Sequence, residues 1–114
     1  MAEEVTYVDF DEGVKRVMNN AKFYVKMLAK FKADTKLDDI EAALKGEDLE
    51  KAQTEVHKIK GLAANLSLSE LYKQTLELED QIKAKAVEPN KLETVKTVFA
   101  QTLQELDKVI AQNG

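Results

Sequence analysis

The sequence predicts an all-α fold: an antiparallel, up-down-up-down four-helix bundle with one or two additional short helices near the N-terminus. Three observations support this prediction. Apolar residues recur at spacings of three and four along almost the whole chain, which is typical of helices with one buried face. The chain contains four Gly and one Pro, too few for the many turns of an all-β fold. The segments between helix signals are short, which favours antiparallel neighbours.

The first two helices are predicted from their boundary signals. We expect residues 1–8 to form an extended lead-in. Asp9, followed three residues later by Glu12, is typical of an N-cap that opens a short first helix. Asn19 and Asn20 then interrupt the pattern, and a long second helix begins after them. Its apolar side is Phe23, Met27, Leu28 and Phe31.

The third and fourth helices follow from the next signals. Thr35 with Asp38 has the spacing of a capping box and predicts a short third helix. Gly46 is predicted to end that helix in the positive-φ conformation that glycine tolerates at helix C-termini. Asp48 is predicted to cap a long fourth helix, which carries His57. The apolar stripe of this helix is Leu49, Ala52, Val56, Ile59, Ala63 and Leu66.

Two further long helices complete the predicted bundle. Ser67 with Glu70 is a second capping-box pattern and predicts the start of the fifth helix. Pro89 is suited to a first helical position and predicts the start of the sixth. The 114 residues show no repeat, linker or composition change, so we expect a single helical domain over residues 1–114.

His57 is the only histidine of the chain. At 100° per residue, the centre of the apolar stripe lies roughly 130° away from it, so His57 is expected to face solvent. A solvated surface histidine is the simplest interpretation of this position alone. The neighbours at helical spacing are polar, basic or very small: Gln53, Thr54, Lys60, Gly61 and Ala64.

These neighbours indicate a site where another protein could approach the imidazole. Lys60, which we expect to be exposed, and Lys58 place positive charge near the ring and could help to neutralise a phosphoryl group. Gly61 and Ala64 leave a shallow bare patch beside it. A glycine inside a helix also often serves close helix packing, so spacing alone leaves both interpretations open.

The residues from Val56 to Leu66 (VHKIKGLAANL) resemble the signature of histidine-containing phosphotransfer (HPt) domains, H-x-[LI]-K-G followed by small residues and an L-G-type turn. Residues 10–18 and 23–31 are similar to the first helices of that family, and residues 40–48 to its lead into the histidine helix. The resemblance extends from about residue 9 to about residue 84. The last helix matches in its apolar pattern only.

The resemblance implies a four-helix bundle with an exposed, phosphorylated histidine. His57 would be the phosphoryl carrier, Lys60 the supporting cation and Gly61 the gap that admits the partner. Many members place a glutamine on the next helix to hydrogen-bond the other ring nitrogen. Counting without gaps brings Glu79 to about that point, with Gln81 as the nearby alternative, and the choice stays open.

The sequence departs from the family at Ser67, where the family usually has Gly. We interpret this residue as an N-cap and expect no functional loss from the difference.

The resemblance further implies a histidine phosphotransfer protein that relays a phosphoryl group between receiver-domain aspartates in a two-component phosphorelay. Its partners would be receiver domains and a sensor or hybrid histidine kinase. No nucleotide-binding motif is present, so we expect a carrier without cofactor or metal, rather than an enzyme, with the partner supplying Mg²⁺ and most of the catalysis. Two alternatives stay open: the histidine-bearing domain of a chemotaxis-type kinase, and a non-catalytic HPt-like scaffold.

Composition excludes several other classes of function. The net charge of −4 argues against nucleic-acid binding, and no apolar run is long enough to insert into a membrane. The chain has no cysteine. We expect a cytoplasmic monomer. The acidic run Asp38, Asp39 and Glu41 is interpreted as a solvated helix start rather than a metal site. Lys22, Lys26 and Lys30 form a row that could meet an acidic receiver surface or serve solubility alone.

Overall fold

A computed structural model describes residues 6–113, and within that range the chain forms α-helices and no strand. The helices are α1 (Phe10–Arg16), α2 (Ala21–Asp34), α3 (Asp38–Lys45), α4 (Leu49–Asn65), α5 (Ser69–Lys83) and α6 (Lys91–Asn113). The all-α prediction is confirmed, with α2, α4, α5 and α6 as the long helices. The up-down-up-down order and the single-domain boundaries 1–114 stay predictions.

The core is formed where the long helices turn their apolar stripes toward one another. Helix α4 packs on α5, α5 on α6, α6 on α2, and α3 on α4. Burying one large aliphatic side chain contributes roughly 1.5–3 kcal/mol, so these stripes dominate the stability of the fold. Because α4 buries its stripe, its opposite face is left in solvent. The fully buried core includes Leu28, Val56, Leu78, Val95 and Leu106.

Tyr24 ties α1 and α2 to the end of α4. Its ring lies so close to the buried Gly13 of α1 that a Cβ atom at Gly13 would collide with it. Its hydroxyl donates a hydrogen bond to the Leu66 carbonyl at 2.5 Å. Burial, and to a smaller extent the charges of Asp9 and Glu12, raises the pKa of Tyr24 to about 12. The phenol therefore stays a hydrogen-bond donor at all moderate pH values.

The predicted lead-in falls partly outside the described residues, which exclude residues 1–5. Residues 6–8 are not helical. The Thr6 carbonyl accepts a hydrogen bond from the Glu70 amide at 3.0 Å, and the Asp9 amide donates to the Ser67 carbonyl at 2.9 Å. This segment therefore pairs with the turn between α4 and α5 and with the first turn of α5.

Two of the predicted N-caps are confirmed. The Asp9 carboxylate accepts a hydrogen bond from the Glu12 amide at 3.3 Å, at the start of α1. The Asp48 carboxylate accepts one from the Lys51 amide at 3.1 Å, at the start of α4. Asn20 caps α2 in the same way. The start of the histidine-bearing helix is thus set by local sequence.

The two predicted capping boxes are wrong. Leu37 and Leu68 occupy the N-cap positions of α3 and α5, and neither helix start has a side-chain cap. Both leucines are buried in the core. A side-chain cap is worth about 1 kcal/mol, less than the burial of a leucine, so packing decides where these helices begin. Thr35 and Ser67 consequently lie before the capping position.

The predicted positive φ at Gly46 is also wrong. Gly46 has a φ of −84°, and the left-handed residue is the next one, Glu47, with a φ of 57°. The Asp48 amide then donates to the Ala43 carbonyl at 2.9 Å, which is the hydrogen bond of a Schellman motif. Helices α1, α4 and α5 end similarly, with left-handed residues that are not glycine: Met18, Ser67 and Lys85.

Helix α6 begins at Lys91, two residues after the predicted start at Pro89. Pro89 lies instead in a turn that the Lys91 amide closes by donating to the Glu88 carbonyl at 3.0 Å. The fixed φ of proline suits the second position of such a turn. The ammonium group of Lys91 binds Gln74 and Glu77 of α5, which attaches the start of α6 to its neighbour.

Candidate functional site

His57 lies on the face of α4 opposite the buried stripe. Ala52, Val56 and Ile59 point into the core, whereas 67% of the His57 side chain is exposed. The sequence-based prediction that this histidine faces solvent is therefore confirmed. The physical cause is the 100° step of the helix, which turns residue 57 outward once residues 52, 56 and 59 are buried.

One ring nitrogen of His57 is held by a buried carboxylate. Nδ1 lies 3.1 Å from Oε2 of Glu79 on α5, and only 2% of the Glu79 side chain is exposed. An ionised carboxylate can only accept hydrogen bonds, so we assign the ring proton to Nδ1. That tautomer leaves the lone pair of the imidazole on Nε2.

The structure brings Glu79, and not Gln81, to the imidazole. Gln81 is bonded to Glu88: its amide nitrogen donates to the Glu88 carboxylate at 3.2 Å, and its amide oxygen accepts from the Glu88 backbone at 3.0 Å. Glu79 and Gln81 are two residues apart on α5 and therefore about 200° apart around the helix axis, so only one of them can face α4.

Lys60 differs from the expectation of an exposed cation. Its ammonium group donates to Oε1 of Glu79 at 2.5 Å, and only 18% of its side chain is exposed. The expected exposure of Lys60 is therefore wrong. The hydrogen bond to Glu79 raises the pKa of Lys60, against a smaller opposing effect of burial. Lys60 and His57 thus bind opposite oxygens of one carboxylate.

Glu79 is kept ionised by these partners. Burial acts most strongly on this group and favours the neutral acid, but the combined effects of Lys60, His57 and Lys83 outweigh it and lower the pKa of Glu79. Within the described range, no buried side-chain nitrogen or oxygen lacks a hydrogen-bond partner. The carboxylate is therefore a fixed, charged support for the imidazole.

Gly61 and Ala64 have different surroundings. A Cβ atom at Gly61 would enter open space, with nothing within 4 Å. Gly61 therefore does not serve close helix packing, and the bare backbone beside His57 is accessible. Ala64 is half-buried and borders a separate hollow with Glu12, Ser67 and Tyr72. The predicted bare patch consists of Gly61 rather than of both residues.

An open hollow adjoins the imidazole on the side of α5. It is lined by Gln53, Thr54, His57, Lys58, Glu79 and Lys83. The Lys58 ammonium is bonded to Glu55 at 2.9 Å. The sequence interpretation missed Lys83, whose ammonium lies 3.9 Å from Oε2 of Glu79. The sequence could have indicated Lys83, because it lies four residues after Glu79 and residues at that spacing share a helix face.

The acidic side chains at the start of α3, Asp38, Asp39 and Glu41, do not converge on a point where a cation could bind. Glu41 instead accepts a hydrogen bond from Lys96 of α6 at 3.1 Å, and this contact lowers the pKa of Glu41. Among residues 6–113, no three His, Cys, Asp or Glu side chains form a group that could hold a metal ion. No helix in that range has the length and apolar character needed to cross a bilayer.

Comparison with known proteins identifies one family. The family model named Hpt domain matches residues 26–112, which include most of α2 and all of α3, α4 and α5. No curated protein and no solved structure gave a match. Hpt domains are helical phosphocarrier modules that act in histidine phosphotransfer of two-component signalling and interact with kinases and receiver domains. Because the match covers most of the 114 residues, the chain belongs to the Hpt domain family.

Proposed function

We propose that this protein relays a phosphoryl group between receiver-domain aspartates in a multistep phosphorelay, with His57 as the phosphorylated residue. One observation carries the proposal: Nδ1 of His57 is held by the buried Glu79, while most of the ring stands in solvent. The imidazole is thereby oriented with its free nitrogen, Nε2, available to another protein. A histidine kinase or hybrid kinase would supply the phosphoryl group to the relay.

The transfer step follows from this orientation. The lone pair of Nε2 attacks the phosphorus of an aspartyl phosphate on the receiver, and an N–P bond forms as the O–P bond breaks. The aspartate leaves as a carboxylate and keeps the electron pair of the broken bond. The proton stays on Nδ1, so the positive charge that develops on the ring faces the Glu79 carboxylate. Transfer to the next receiver is the same step in reverse.

The residues around His57 act mainly by positioning. Glu79 holds the ring, and Lys60 holds Glu79 in its ionised form. Phosphoryl transfer needs alignment and charge neutralisation more than covalent participation of the carrier. The receiver supplies Mg²⁺ and the remaining catalytic groups, and the present chain is a carrier rather than an enzyme.

The receiver reaches His57 across Gly61 and the groove between α2 and α4. Leu62, next to Gly61, is 42% exposed and borders an apolar hollow with Met27 and Phe31. Lys30 lies at the rim of this hollow, in line with the exposed Lys22 and Lys26. Asp34 also lines the hollow, so the basic character of this surface comes from the lysine row of α2. An apolar centre beside a row of lysines suits a partner surface that carries acidic residues around its phosphorylated aspartate.

Phosphorylation of the purified chain tests the proposal. We expect the wild type to acquire an acid-labile, base-stable phosphate from a phosphorylated receiver domain, and His57→Gln to acquire none. Lys51→Gln, an exposed change on the same helix, serves as the matched control and should behave as the wild type. A wild-type chain that stays unphosphorylated with every donor would refute the proposal and favour a non-catalytic scaffold.

The choice of donor separates the relay from the chemotaxis-type alternative. A relay module exchanges the phosphoryl group rapidly with a receiver domain in both directions. A histidine-bearing domain of a chemotaxis-type kinase is instead phosphorylated by a kinase core with ATP. Efficient labelling by the kinase core alone, without return transfer from any phosphorylated receiver, would contradict the relay.

A further inference from the structure

Three lysines surround the imidazole, and they differ in how firmly each is already paired. Lys60 is bonded to Glu79 at 2.5 Å, and Lys58 is bonded to Glu55 at 2.9 Å. Lys83 makes only a loose contact, 3.9 Å from Oε2 of Glu79, and 54% of its side chain is exposed. Of these three ammonium groups, that of Lys83 would give up the weakest contact by moving to a new anion.

We propose that Lys83 is the cation that contacts the phosphoryl group on His57, and that it exchanges Glu79 for that group when His57 is phosphorylated. This role rests on the proposed function and adds a residue to it. It also reassigns a role, since the family resemblance attributes charge neutralisation to Lys60, whose ammonium is occupied by Glu79.

The geometry places Lys83 within reach. Its ammonium and His57 Nδ1 approach the same oxygen of Glu79, at 3.9 and 3.1 Å, so these two nitrogens are at most about 7 Å apart. The phosphoryl group forms on Nε2, across the imidazole ring from Nδ1, so Lys83 must extend past the ring to contact it. Both side chains line the same hollow. A lysine side chain is long and flexible, and a largely exposed one can follow a phosphoryl group that extends from the ring.

The charges favour the exchange. Before phosphorylation, the single charge of Glu79 is already neutralised by Lys60 at short distance. A phosphoryl group introduces a charge of about −1.5 to −2 and several strong acceptor oxygens. Lys83 therefore gains a stronger, unpaired anion and gives up a weak contact. Glu79 then keeps both of its short contacts, so the support of the ring is unchanged.

Lys83 also has a purely structural interpretation, because it lies in the last turn of α5, where a positive charge interacts favourably with the helix dipole. A measurement on the phosphoryl group itself separates the two roles. A cation that contacts the phosphoryl group favours its dianionic form and lowers the pH at which the dianion takes up a proton to become the monoanion. A helix-end charge without such contact leaves that pH unchanged.

The experiment uses the full chain phosphorylated with phosphoramidate, a small donor that needs no partner protein. The ³¹P NMR signal of the phosphohistidine is followed as a function of pH in the wild type, Lys83→Gln, Lys83→Arg and Lys73→Gln. Lys73 is an exposed lysine of the same helix that does not line the hollow, so it is the matched control. Thermal unfolding of each variant reports any structural loss.

We expect the titration midpoint of the phosphoryl group to rise by about 0.2–0.7 pH units in Lys83→Gln, the effect of losing one exposed ion pair. Lys83→Arg and Lys73→Gln should titrate as the wild type. An equal midpoint in Lys83→Gln and the wild type would overturn the role of Lys83 and leave the proposed function intact. A wild-type chain without phosphohistidine from phosphoramidate or from a phosphorylated receiver would overturn the proposed function itself.

Discussion

Replacement of Glu79 by glutamine removes the charge at the centre of the site while preserving its size. The side-chain amide oxygen of the Glu79→Gln variant can still accept a hydrogen bond from Lys60 or from His57, but as part of a neutral group. Hydrogen bonds to charged groups contribute roughly 1.5–3 kcal/mol net, and neutral ones roughly 0.5–1.5 kcal/mol. Because only 2% of the Glu79 side chain is exposed and it bonds both partners, we expect Glu79→Gln to lower the free energy of unfolding by about 1–2 kcal/mol near neutral pH.

The pH dependence of this loss is the sharper part of the prediction. The pKa of Glu79 is lowered in the folded state from the ordinary value of 4.5, so the unfolded chain binds the proton more readily. The stabilisation by Glu79 is therefore complete above pH 4.5 and is lost as the pH falls through the lower pKa of the folded state. Glu79→Gln has no such group, so the difference between the two proteins should shrink in acid.

Urea unfolding followed by circular dichroism near neutral pH and at about pH 3.5 measures both quantities. Glu41→Gln is the matched control, because Glu41 is also a carboxylate of lowered pKa bonded to a lysine but is more exposed. We expect a smaller loss of stability there. A Glu79→Gln variant as stable as the wild type at neutral pH, or less stable by the same amount at both pH values, would refute the reasoning.

Four further substitutions at three positions test packing and backbone conformation. Gly61→Ala should stabilise the fold by about 1 kcal/mol, since the new methyl group meets nothing within 4 Å. Gly61→Gln should instead weaken receiver binding while the helicity stays unchanged. Unaltered receiver affinity would contradict the steric argument. Gly13→Ala should destabilise the fold by about 1–3 kcal/mol in urea unfolding, because Tyr24 must move, and a neutral result would show that α1 adjusts freely. Lys85→Gly should raise the free energy of unfolding by about 0.5–1 kcal/mol by relieving a left-handed φ of 55°; a decrease would mean that the entropy lost by glycine outweighs the strain relieved.

Several features of the fold and the site could be predicted from the local sequence alone. The N-caps Asp9 and Asp48 depend on residues three positions apart, and both form as predicted. The outward direction of His57 follows from the helical period and the buried residues around it. The open space at Gly61 agrees with the absence of a side chain on an exposed face.

Features that involve two helices could not be predicted in this way. Leu37 and Leu68 took the capping positions because the core buries them, which the patterns at Thr35 and Ser67 do not reveal. Counting along the sequence led to Glu79, with Gln81 as an open alternative, and only the packing of α5 on α4 shows that Glu79 contacts the imidazole. The contribution of a neighbouring helix outweighs a local preference of about 1 kcal/mol.

The sequence by itself determined that this chain forms a helical bundle of the Hpt type with its one histidine in solvent, because helical periodicity is a property of neighbouring residues. Only the tertiary structure decided that Lys60 is bound to a buried carboxylate and that Lys83 is the loosely paired cation beside the ring. Those contacts depend on the register between α4 and α5, and register is set by the packing of both helices rather than by the spacing within either.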